Sequence, residues 1–323
     1  LSRRLVRPKI CLLSFLLLLF TAGSLFSLQW QTWRSGDLIV TAAPKDSAYA
    51  NMMLRSLQKR INTFQMELGV YPHRQLKLQI LPNRKEYARL TTGKGKLVEA
   101  SEAFYSPQDQ VIYVRSPEQL ANQNYDDVLM HEYIHWFLDE TLCNVPLWFH
   151  EGMAMYYSGQ FNFDAYYNFT RYRFMGQHLS LDSMNSSYPS DRSQWNMFYL
   201  TSVFAVNYLQ SHHKKEWQKF WDTTGYYYNR KSADSASRID FLQVFHYAYR
   251  MSLVAFSQEF DKTARRYTWL FPLIGLNALI FALLPFVILI AWRRSRKKLK
   301  AMPDFIIEDD EEEDEPEQPS END

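Results

Sequence analysis

The stretch from Asn124 to Tyr157 constrains this chain more than any other. From Tyr125 it reads YDDVLMHEYIHWFLDETL, then Cys143-Asn144-Val145-Pro146, then LWFHEGMAMYY. Asn124 suits a helix N-cap, and Asp127 three positions later comes close to completing a capping box. A helix is therefore predicted from Tyr125 to Leu142. It carries Asp126, Asp127, Glu132, Asp139 and Glu140, too much charge for a bilayer span, which excludes an intramembrane protease built on the same pattern. Asn144 and Pro146 break this helix and begin another, Asn144 as cap and Pro146 in the first turn. A connection this short makes the two helices antiparallel.

Helices joined in this way bring particular side chains level. His131 and His135 are four positions apart and leave the same face, so they can take two positions of a tetrahedral metal. His135 precedes Cys143 by 8 residues and Glu151 follows it by 8, so each lies about 12 Å from the turn at about 1.5 Å per residue. Glu151 returns to the level of the histidines. Two imidazoles, one carboxylate and an open fourth position make the donor set of catalytic zinc. Glu132 lies about 100° around the helix from His131, off the ligand face but placed to act as base on a metal-held water. His150 points about 100° from Glu151 and is the weaker ligand. Gly152 allows close helix approach. The plain alternative is an amphipathic helix with two half-exposed histidines.

At these residues the chain resembles the gluzincin metallopeptidases, and among them the bacterial peptidase MA-like domains. The shared pattern is His131-Glu132-x-x-His135, then Trp148-Phe149-x-Glu151-Gly152-x-Ala154-x-Tyr156. The resemblance covers about residues 37–265 and implies a thermolysin-like zincin domain that cleaves peptide bonds. The His135 to Glu151 spacing is somewhat shorter than in thermolysin itself. Phe241 to Phe260 is similar to the family's terminal helices. The resemblance implies an oxyanion-donating tyrosine on a later helix, which falls on Tyr199, with His178 and His246 as other candidate donors. It also implies that strand 97–105 is the edge strand that binds an extended peptide, with Ser101 to Phe104 lining the cleft.

Around the motif the pattern is mixed. Residues 37–42, 76–81, 97–105 and 110–115 read as strands, and residues 46–68 and 83–90 as helices, with Gly69 ending the first and GKGK at 93–96 a flexible turn. Ser106-Pro107-Gln108-Asp109 joins the last two strands as a hairpin. From residue 124 to 266 the pattern is almost wholly helical. The fold class expected is α+β: a small mixed sheet plus a helical half.

Two apolar runs flank this region. Ile10 to Leu28 and Trp269 to Trp292 are 19 and 24 residues without a charge, each long enough to cross a bilayer. Two transmembrane helices are therefore expected. The first run competes with a signal peptide that has Ala22-Gly23-Ser24 as cleavage site. Basic residues stay inside, which puts both termini in the cytoplasm of a bacterial cell membrane and the domain outside it. The expected divisions are 1–29 as anchor or signal, 30–267 as catalytic domain, 268–292 as span and 293–323 as a basic, then acidic, disordered tail.

The formal charge of +1 conceals segregation. Residues 304–323 hold 12 acidic and no basic side chains, so the rest carry +13, and ten of those flank the apolar runs, leaving +3 for the domain. No strong basic surface remains, so no nucleic-acid partner is expected. A cytoplasmic partner docking on the acidic tail has no support beyond the charge itself. Cys11 lies in the first apolar run and Cys143 alone in the domain, which rules out a disulfide framework.

The function expected is a membrane-anchored zinc peptidase, with His131, His135 and Glu151 on Zn2+, Glu132 as general base and Tyr199 on the oxyanion, acting on a peptide or protein substrate. The alternatives are an inactive zincin-fold membrane scaffold and a zinc hydrolase of non-peptide amides or esters. The aromatic residues after the motif (Tyr156, Tyr157, Phe161, Phe163, Tyr166, Tyr167 and Phe169) fit ring-stacking substrates such as sugars, but fit core packing better.

Overall fold

The computed structural model describes residues 30–93, 99, 101–116, 125–230 and 238–300, and within its last helix it leaves aside the side chains of 274, 277, 278, 299 and 300. The described chain divides into two units, one ending at Phe271 and one starting at Pro272. The first unit is mixed α+β.

Five strands form one sheet in the order β1-β2-β3-β5-β4. They are β1 (Gln31–Ser35), β2 (Leu38–Ala42), β3 (Leu76–Leu81), β4 (Ala103–Ser106) and β5 (Val111–Arg115). β1 and β4 run antiparallel to their neighbours, while β2, β3 and β5 run parallel. β4 is thus an edge strand. Helix α1 (Ser47–Leu68) crosses between β2 and β3, burying Met53, Leu57, Ile61, Phe64 and Leu68 at helical spacing. It ends at Gly69, whose φ of 66° is the left-handed cap a glycine adopts without cost. Helix α2 (Arg84–Thr91) is capped by the Asn83 side chain, which accepts from the Glu86 amide.

The helical half begins with α3 (Tyr125–Thr141) and α4 (Leu147–Tyr157). It continues with α5 (Phe163–Phe174), α6 (Trp195–His212), α7 (Lys214–Asn229), α8 (Phe241–Tyr249) and α9 (Leu253–Tyr267). Phe64 of α1 meets Tyr133 and Phe137 of α3 and Tyr157 of α4, with ring centroids 5.8, 4.8 and 4.8 Å away. One core therefore joins the sheet side to the helical side. Of the aromatic residues after the motif, Phe169 is fully buried and stacks on Phe204 at 3.9 Å, which is core packing. Phe163 is 70% exposed and joins no such stack.

The structure corrects several expectations. β1 has no counterpart in the sequence reading. Of the strand expected over 97–105, β4 begins at Ala103, while residues 97, 98 and 100 lie outside the described residues. Asn144 does not cap α4: Pro146 holds the N-cap position, while Asn144 takes a left-handed φ of 56° and bonds Asp240 at 2.7 Å. That bond supports a short parallel bridge between β6 (Leu142–Cys143) and β7 (Ile239–Asp240), so the connection is pinned rather than merely turned. The Asn124 cap, most of the GKGK turn, residues 1–29 and the acidic tail lie outside the described residues.

The two membrane spans are also corrected. Among the described residues no helix is long and apolar enough to cross a membrane. Helix α10 (Leu270–Lys300), which holds the second apolar run, does not meet that measure. Arg293 ends the run. The cell-membrane location, the placement of the domain outside the cytoplasm and of both termini inside it, rested on those spans and falls with them.

Candidate metal centre

His131 and His135 leave one face of α3, their rings 4.8 Å apart and nearly perpendicular. Glu151 arrives from α4. Its Oε2 lies 3.6 Å from His131 Nε2 and 3.8 Å from His135 Nε2. The three ligand atoms lie within 4.8 Å of one another.

Two features bring Glu151 there. Trp148 and Phe149 are each 1% exposed; Trp148 stacks on Phe256 at 5.6 Å and Phe149 packs on Phe241 at 4.8 Å. Phe149 lies about 200° around α4 from Glu151, so anchoring it turns Glu151 to the other side of the helix, toward α3. The second is Gly152. A methyl group there would sit 2.4 Å from the Ser202 carbonyl oxygen of α6, so only a residue without Cβ lets the two helices meet at this height.

The trio fits a metal ion. Donors about 2.0–2.1 Å from a tetrahedral ion stand about 3.4 Å apart, a few tenths of an ångström inside the two histidine–carboxylate separations. Glu151 Oε2 is buried and has no hydrogen-bond partner among the described residues, an expensive arrangement unless a cation faces it. Burial opposes charge on Glu151, yet His135, His131 and the Tyr188 hydroxyl together hold its carboxyl down at about 2. Burial likewise depresses His135 to about 3, keeping its ring neutral, the form that ligates. For His131 the Glu151 carboxylate outweighs burial and raises the value. The buried His131, His135 and Glu151 group can therefore hold a metal ion.

Glu132 stands beside the trio. Its Oε2 accepts a 2.7 Å hydrogen bond from the Tyr105 backbone amide of β4. Burial pushes its carboxyl up to about 7, against the lowering effects of His131 and the Tyr105 amide. Such a value suits a group that exchanges protons near neutrality.

A cleft of about 340 Å³ opens over these side chains, with Ala103, Phe104 and Tyr105 of β4 along one wall and Tyr188 and Tyr199 on another. Ser101 also lines it, so Ser101 to Phe104 border the cleft except for Glu102. Tyr199 therefore reaches the site, while His178 and His246 are exposed residues that do not line the cleft. His150, set aside as the weaker ligand, does line it, with its ring 5.7 Å from that of His135.

The sequence reading missed Tyr188. It sits in the irregular segment between Leu181–Met184 and α6, and its hydroxyl donates to Glu151 Oε1. Nothing in the chain's spacing could pair a loop tyrosine with a carboxylate 37 residues earlier. No family model matches the chain, and no curated protein matches it.

Proposed function

We propose that this chain is a zinc-dependent peptidase that hydrolyses peptide bonds with Glu132 as general base. The observation that carries the reading is the position of Glu132, half-buried, with its carboxyl pushed up to about 7 and next to a two-histidine, one-carboxylate donor set. That donor set suits catalytic zinc, and the resemblance to gluzincins at the same residues agrees. Zinc bound there would polarise the scissile carbonyl and lower the pKa of a water molecule.

The chain's own residues do the rest. Glu132 takes the proton of the attacking water and passes it to the departing amine. The Tyr105 amide fixes one carboxylate oxygen, which leaves the other to face the water. Burial, with the Glu151 and Glu132 charges, raises the pKa of Tyr199, so its phenol keeps the proton it donates to the oxyanion. β4 offers an edge along which an extended peptide lies.

The test is a digest of a fluorogenic peptide library by the purified full chain, with metal content measured in parallel. Zinc near one equivalent and cleavage abolished by a chelator are expected. Glu132→Gln should keep the zinc and lose about 10²–10⁴-fold in rate. Equal cleavage by Glu132→Gln would end this mechanism. A protein that binds no metal would favour the scaffold alternative.

A further inference from the structure

A second cavity, of about 450 Å³, adjoins the cleft and shares His131 and Tyr199 with it. Gln160, Asn168 and Asn196 contribute three carboxamides, Tyr172 and Tyr199 two phenols, and Met155 and Leu200 the apolar remainder. The carboxamides and phenols come from the α4–α5 connection, from α5 and from α6. No Asp, Glu, Lys or Arg lines it. None of the three carboxamides makes a side-chain hydrogen bond to a described residue, although Gln160 and Asn168 are half-buried.

We propose, resting on the peptidase reading, that this cavity is the subsite that selects the substrate, and that it takes an Asn or Gln side chain next to the scissile bond. A carboxamide offers both donors and acceptors, so it can pair with Gln160, Asn168 and Asn196 in either orientation of each. A charged side chain would give up water without meeting a counter-charge. An aliphatic one would displace water from the amides and leave them unpaired. The cavity exceeds the size of one such side chain, and the remaining space holds water that bridges to the phenols. Since the wall includes the metal ligand His131 and the cleft residue Tyr199, a side chain seated here belongs to a residue within reach of the reacting carbonyl.

The experiment compares kcat/KM for the full chain on fluorogenic peptides that differ at one position at a time, scanned over three residues on each side of the cut, with Gln, Asn, Leu, Lys or Glu. At one position Gln and Asn peptides should exceed Leu, Lys and Glu by about tenfold. The double variant Gln160→Leu/Asn168→Leu should reduce that ratio to near one. Asn196→Ala, at an exposed position, should reduce it partially and guards against a folding defect in the double variant. Cleavage with a Leu, Lys or Glu preference would overturn this inference and leave the peptidase reading intact. A Gln preference that survives all three substitutions would also overturn it. Cleavage of no peptide would overturn both.

Discussion

Glu151 divides its carboxylate between two tasks. Oε1 accepts from the Tyr188 hydroxyl, while Oε2 faces both imidazoles without another partner. The phenol thereby fixes which oxygen is presented and keeps it at the height of the histidines, as partners of metal-binding side chains do elsewhere. Tyr188→Phe should keep the ring packed against Phe198, 5.2 Å away, and remove only the hydrogen bond. Metal affinity measured by chelator competition should fall about 10–100-fold; an unchanged affinity would reduce Tyr188 to a packing residue. The candidate trio and Glu132 were legible in the sequence because helix periodicity puts the two histidines on one face and the short turn brings Glu151 back to their level. Tyr188 was not, because a contact made from an irregular segment has no periodic signature.

Helices α3 and α4 are held by their ends as well as by their faces. Arg60 of α1 bonds Asp127 in the first turn of α3 at 2.7 Å and the Ser158 carbonyl at the end of α4 at 2.9 Å. At the other end, the β6–β7 bridge pins the connection. What sets the depth of α4 is its crossing with α6 at Gly152. Gly152→Ala would press a methyl group against the Ser202 carbonyl and Val206, at 2.4 and 2.6 Å. A backbone atom cannot rotate aside, so the helices must part. The expected cost is about 1–3 kcal/mol of stability by denaturant unfolding, with weaker metal binding as Glu151 is displaced. Unfolding at the wild-type midpoint would show that the crossing relaxes freely. The antiparallel pair was readable from one break between two apolar-periodic runs. The break's mechanism was not: Asn144 has the chemistry of a cap, but its partner Asp240 lies 96 residues on. Strand β1 was equally hidden, because it is half exposed and its register depends on β2.

In the unit ending at Phe271, the candidate metal site sits where the sheet side and the helical side meet. β4 supplies the amide that holds Glu132, α3 the histidines, α4 the Glu151 carboxylate and the segment before α6 the phenol. No one element builds the site, so an ion bound there ties parts of the fold that have no covalent link nearby. Binding to the folded state alone stabilises it by mass action, about 2.7 kcal/mol when free metal is a hundred times Kd. For a domain of this size each kcal/mol moves the melting temperature by about 2–4 °C. Zinc should therefore raise the melting temperature by about 5–10 °C over the chelated protein, as read by calorimetry. Glu151→Gln should abolish the rise, since a neutral amide neither balances a divalent charge nor matches the His131 and His135 donors. Tyr199→Phe should preserve the rise while slowing hydrolysis, because Tyr199 lines the cleft and is not among the three candidate donors. The two variants separate binding from chemistry. A melting temperature indifferent to zinc in the wild-type protein would mean that the buried carboxylate is not balanced by a metal, and the whole arrangement of α3 and α4 would then need a different cause.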